Sequence, residues 1–174
     1  AKATVSKMNA FDNAIGDMEV QQKASQAELD TANAKLGEMK AASRSYQIND
    51  NANVQGIRNQ IVAKQLQLVD LNQKYTEEHP SVIAAKKELT QLQRSLANEV
   101  NAVVASNATS MNPTQASLMQ KQAQAQASIA VARASEAAIR TRRDEKQTEL
   151  GDFPNEVLEY MNLPREATIQ NEIY

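Results

Sequence analysis

His79 is the chain's single histidine, and it sits in the run Glu77-Glu78-His79-Pro80, where acidic and imidazole side chains crowd together. The spacing argues against a metal. Di-iron bundles use Glu-x-x-His, which brings both ligands onto one helix face, and a lone histidine excludes a histidine cluster. A position directly before proline suits a turn residue or helix cap instead, because proline biases its predecessor away from αR. Nothing local supports a serine triad, since no Gly-x-Ser-x-Gly occurs. The four glycines are isolated, so no loop can cradle phosphate.

The carboxylates Glu28, Asp30 and Glu38 share a helical stretch and suit i,i+4 pairing better than acid–base work. Arg140, Arg142, Arg143 and Lys146 look basic, but Asp144, Glu145 and Glu149 lie among them, as on a solvated helix face. Met8, Met18 and Met39 fall on a helical seam, where packing outweighs metal binding. The residues therefore predict no catalytic, cofactor-binding or metal-ligating group, and a chain that is not an enzyme.

Composition points the same way. There is no cysteine and no tryptophan, and only four tyrosines and two phenylalanines. Ala, Gln, Asn, Lys, Glu and Leu dominate, a bias that with helical periodicity marks long helices. A formal charge of −2 with both signs interspersed gives no field for nucleic acid or anionic lipid, so no nucleic-acid partner is expected. No run of about 18 apolar residues exists to span a bilayer. The sequence begins without Met and stops at Ile173-Tyr174 within a helical pattern, so residues 1–174 are expected to be one helical region of a larger protein.

The elements that would carry these residues follow from periodicity. From Val5 to Tyr46 the inward positions are Met8, Phe11, Ile15, Met18, Gln22, Ser25, Leu29, Ala32, Leu36, Met39, Ser43 and Tyr46, with spacings of three and four. Gly16 and Gly37 each weaken this helix by about 1 kcal/mol, too little to break it. Residues 47–53 form a turn cluster in which Asp50, Asn51 or Asn53 can cap the next helix.

That second helix shows Val54, Ile57, Ile61, Lys64, Leu68, Leu71 and Tyr75, and it yields at His79-Pro80. Proline suits a first helical turn, so a third helix starts there, with Val82, Ala85, Leu89, Leu92, Leu96, Glu99 and Val103 inward. After the polar loop 106–110, Asn112-Pro113 reads as cap and first helical residue. The fourth helix carries Leu118, Gln122, Ala125, Ile129, Ala132, Glu136, Ile139, Arg143, Lys146 and Leu150. Gly151 and Pro154 should end it, leaving a short C-terminal helix from Pro164 to Tyr174.

The fold class expected is all-α: an elongated antiparallel helical bundle or coiled coil of about four long helices plus that short one. At 1.5 Å per residue the four span about 63, 33, 39 and 55 Å, so an up-down-up-down path returns both ends to one base. A second helix continuing the first through residues 47–53 is the other possibility. The seam is thin, with Gln22, Ser25, Lys64, Glu99, Glu136 and Arg143 at core-type positions. Polar seam residues cost stability and can fix register. They fit a bundle stabilised by neighbouring copies, and equally residues half exposed in a two- or three-helix arrangement.

Residues 75–93, which contain Tyr75, His79, Pro80, Val82, Leu89 and Leu92, resemble the polysaccharide co-polymerases of the Wzz/GumC type. These chain-length determinants commonly carry a Tyr-x-x-x-His-Pro-x-Val turn followed by a helix with spaced leucines. The tail from Leu163-Pro164-Arg165-Glu166 to Ile173-Tyr174 resembles the segment in which such proteins return toward their second transmembrane helix. About thirty residues carry the likeness. The family's membrane-proximal α/β portion, its transmembrane helices and any tyrosine-kinase domain have no counterpart in the sequence.

The resemblance implies an extracytoplasmic, periplasmic location at the bacterial inner membrane, with flanking membrane helices in the parent protein. It also implies self-association, and a polysaccharide polymerase or export machinery as partner. The implied role is scaffolding in exopolysaccharide, capsule or lipopolysaccharide O-antigen biosynthesis, with Tyr75, His79, Pro80 and Val82 shaping the interhelical turn. Two other readings fit long Ala/Gln-rich helices: the hairpin of a periplasmic adaptor (membrane-fusion) protein, and a cytoplasmic coiled-coil module that binds a partner.

Overall fold

A computed structural model describes the backbone of residues 2–39, 48–107 and 111–173, and side chains between 4 and 150 within those ranges. Four helices follow in order: α1 Lys2–Glu38, α2 Ala52–Asn72, α3 Pro80–Asn107 and α4 Pro113–Ile173, with a 3₁₀ turn Ile48–Asp50 before α2. Among the described residues there is no strand. The chain divides into two compact units, Ala1–Ile139 and Arg140–Tyr174.

Polar caps start the helices where the sequence places them. Of the three candidates before α2, Asn51 does the capping: its side chain accepts from the backbone N–H groups of Asn53 (2.9 Å) and Val54 (3.1 Å). Asn112 accepts from the Thr114 N–H at 3.1 Å, and Pro113 opens α4 at a position where its lack of an N–H costs nothing.

Unit Ala1–Ile139 is an antiparallel four-helix bundle. Asn53 donates to Glu99 and Lys64 pairs with Glu88, so ascending α2 descends α3. Gln22 bonds Glu136 and Asn33 bonds Gln122, which sets α1 against α4 in the same sense. The main core joins Ile48, Val54 and Ile61 to Leu96, Val100 and Val104 of α3 and Leu118, Met119, Ala123, Ala127 and Val131 of α4. At the opposite end Phe11, Ile15 and Met18 of α1 meet Val69 and Ile139. Within this unit the start of α1 and the end of its α4 segment therefore lie together, as an up-down-up-down path requires.

The α1 seam read from spacing is buried or half-buried at every named position from Met8 to Leu36. Met39 departs from it: it lies just past the last turn of α1 and is 40% exposed. Ser43 and Tyr46 fall outside the described residues. Tyr75, expected on the α2 seam, lies beyond that helix and is exposed.

The expected ending of α4 needs correction. Neither Gly151 nor Pro154 stops it, and no separate helix begins at Pro164, because α4 runs on to Ile173. A proline inside a helix forfeits one N–H bond and crowds the preceding turn, at about 3 kcal/mol, but that cost is local. Met161, Leu163, Arg165, Glu166 and Ala167 beside Pro164, and Leu150, Glu156 and Leu158 beside Pro154, are good helix formers that support propagation. Within Arg140–Tyr174 the basic run sits beside its acids: Arg143 pairs with Asp144 at 3.4 Å and Lys146 with Glu149 at 3.1 Å.

Candidate functional site

The segment between α2 and α3 concentrates the chain's unusual side chains. The end of α2 tightens as Gln73 N–H donates to Val69 C=O, and Lys74 and Tyr75 both donate to Leu71 C=O. The His79 N–H then bonds Thr76 C=O at 3.1 Å, closing a turn around Glu77 and Glu78. That turn brings the Tyr75 and His79 rings face to face, with centroids 3.9 Å apart and planes inclined by 15°.

His79 also starts α3. Its ring Nδ1 accepts from the Ser81 N–H at 3.2 Å, and its carbonyl accepts from Val82 (3.0 Å) and Ile83 (3.1 Å). An accepting Nδ1 places the neutral ring's proton on Nε2. Pro80 fills the first helical position, where a donor would have no partner anyway. Val82 then turns inward, fully buried against Leu68 and Ala85, with Leu71 and Leu89 packed beside them. Tyr75, His79, Pro80 and Val82 thus lock one interhelical turn: a stacked pair outside, a ring cap at its neck, and an apolar anchor beneath. Leu89 and Leu92 are half-buried, and both pack on the main core.

The acids around the turn are held in place. Glu77 pairs with Lys86 of α3 at 3.3 Å. Glu78 has its carboxyl held below the ordinary glutamate value, first by a hydrogen bond from its own backbone N–H, then by the Thr76 side chain, with a smaller pull from Lys86. A cleft of about 540 Å³ separates the turn from Asn9, Asn13 and Asp17 of α1. Among the described residues no group of three or more His, Cys, Asp or Glu is placed to hold a metal ion. Asp30 of the α1 carboxylates accepts from Gln26 at 2.9 Å, an i,i+4 contact.

A second concavity of about 730 Å³ lies between α1, α3 and α4, with Thr31, Lys35, Asn101, Ser117 and Lys121 on its walls. Periodicity could not find it, because its residues meet only through the packing of three helices. The signal nearest to it is the polar character of Gln120, Lys121 and Gln124 beside the α4 stripe. No described helix is long and apolar enough to cross a membrane. No family model, curated protein or solved structure matches the chain.

Proposed function

We propose that this chain is the extracytoplasmic helical region of a polysaccharide co-polymerase, a non-catalytic scaffold that regulates the length or export of a bacterial surface polysaccharide. What carries the reading is the way Tyr75, His79, Pro80 and Val82, the residues of the family likeness, interlock in one turn through a ring stack, a ring cap and a buried anchor. Each residue type in the motif has a physical job there. The likeness therefore rests on a working structural element.

The mechanism is geometric. Membrane helices of the parent protein would hold several copies side by side at the periplasmic face of the inner membrane. Their helical projections would pack as a ring or cage beside the polymerase or export machinery. The α2–α3 turn joins the hairpin, and Leu89 and Leu92 of α3 tie that helix to the main core.

The test is made in the bacterium that encodes the chain, by resolving surface polysaccharide by length. Deletion is expected to change the length distribution or to abolish export. Leu89→Asp and Leu92→Asp should reproduce that change, whereas Gln91→Asp and Arg94→Asp, at exposed positions, should not. Unaltered polysaccharide after deletion would overturn the reading, and an efflux or secretion defect in its place would favour the adaptor alternative.

A further inference from the structure

The bundle Ala1–Ile139 is not held together evenly. Its main core is built by α2, α3 and α4 with the 3₁₀ turn, and among the described residues α1 contributes only Leu36 to it. At the other end α1 is fixed by Phe11, Ile15 and Met18 against Val69 and Ile139. Between these two apolar attachments lies a span from Glu19 to Lys35 in which Ala32 is the only fully buried residue. Gln22, Ser25 and Leu29 of that span are half-buried.

The facing part of α4 buries Ala125, Ile129 and Ala132, so isoleucine is its one large buried side chain. The bonds across the seam include Gln22 to Glu136 and Gln122 to Asn33, side-chain pairs that water can replace at modest cost. Besides the cleft at the α2–α3 turn, α1 borders the one of about 730 Å³ shared with α3 and α4, and another of about 400 Å³ shared with α2 and α3. Gly16 and Gly37 further lower the helix's own preference for its conformation.

We infer that α1 is a strap, attached at Phe11–Met18 and at Leu36, whose weakly held span 19–35 opens as a unit while the α2–α3–α4 core stays folded. Buried apolar area sets the free energy of local opening, and elements with little of it open first. Opening uncovers the α4 face around Ala125, Ile129 and Ala132, so that face becomes accessible without global unfolding. This conclusion stands on packing alone and does not depend on the polysaccharide reading.

Native-state hydrogen exchange on the full chain tests it. Amides of residues 19–35 should be protected at least tenfold less than those of 57–69 and 85–100. Their protection should also depend less steeply on urea, as a sub-global opening exposes less surface. Met18→Ala, which weakens one attachment, should lower protection across 19–35 while α3 keeps its own. The inference is overturned if residues 19–35 exchange with the same protection and urea slope as α2 and α3, or if Met18→Ala lowers all helices together.

Discussion

Val82 is the residue on which the α2–α3 turn is anchored, and its neighbour Ile83 provides a built-in control. Val82 is 0% exposed and touches Leu68 and Ala85, whereas Ile83 is 54% exposed. Val82→Ala deletes two methyl equivalents from a filled site. At about 0.8 kcal/mol each the transfer loss is about 1.6 kcal/mol. The residual cavity raises it to about 2–3 kcal/mol, because the ring-capped first turn of α3 limits collapse around the gap. Ile83→Ala deletes more carbon, yet should cost under about 0.5 kcal/mol, since its surface is mostly in water already. Urea denaturation followed by circular dichroism measures both, and the midpoint for Val82→Ala should fall with the slope unchanged. A loss below about 0.5 kcal/mol for Val82→Ala, or equal losses for the two variants, would refute the anchoring role.

Other outcomes follow from the same packing. A Cβ built on Gly16 or Gly56 meets nothing within 4 Å, so Gly16→Ala and Gly56→Ala should each stabilise the protein by about 0.5–1 kcal/mol in thermal or urea unfolding. Ser135→Ala removes a buried hydroxyl that has no partner and should be neutral or stabilising by up to about 1 kcal/mol, where an ordinary serine loss in a satisfied site would destabilise. Glu78, with its folded value below the ordinary one, stabilises the turn above the ordinary glutamate range. That contribution is lost as pH falls through its own lower value. Carboxyl chemical shifts should show the depressed titration, and Thr76→Val should move it back up.

The α1 stripe was legible because its spacing alternates three and four without a break, and every named position from Met8 to Leu36 packs inward. The capping residues Asn51 and Asn112 were legible for a local reason, since a cap bonds within its own first turn. The second buried face of α4 was not. Met119, Ala123, Ala127, Val131 and Ser135 run beside the expected stripe, and the first four enter the main core with α2 and α3. A seam rule designed for two helices assigns each one face, whereas α4 packs against α1 on one side and the α2–α3 hairpin on another. Alanine and serine carry too little apolar character to announce the second face. The turn motif was recognisable as a string, but the stacking of Tyr75 on His79 and the use of Nδ1 as the cap depend on the closed turn.

Antiparallel seams raise a problem of alignment, most of all where alanine lines them, as between α1 and α4 with Ala32, Ala125 and Ala132. If one antiparallel helix slides a turn along another, alanine replaces alanine, and the apolar area changes little. The cross-helix polar pairs distinguish one alignment from its neighbours there, and between α2 and α3 they add to the register set by Val54, Ile61, Leu68, Val82, Leu96 and Val100. Moving from Asn53 to Lys64 climbs α2 by the distance that Glu99 to Glu88 descends α3, so both pairs form in one register and both break in the next. Lys64 is only 20% exposed, so a slipped register would leave its charge partly desolvated without Glu88. Gln22 with Glu136 and Asn33 with Gln122 do the same for α1 on α4. Each such pair adds little to stability, about 1 kcal/mol or less at exposed sites. Specificity, however, is a difference between alternatives, and two pairs lost at once outweigh the nearly constant alanine contribution. Under the scaffold reading this division of labour has a reason: the spacing presented to neighbouring copies must be fixed, while the depth of the fold's stability can be left to the assembly.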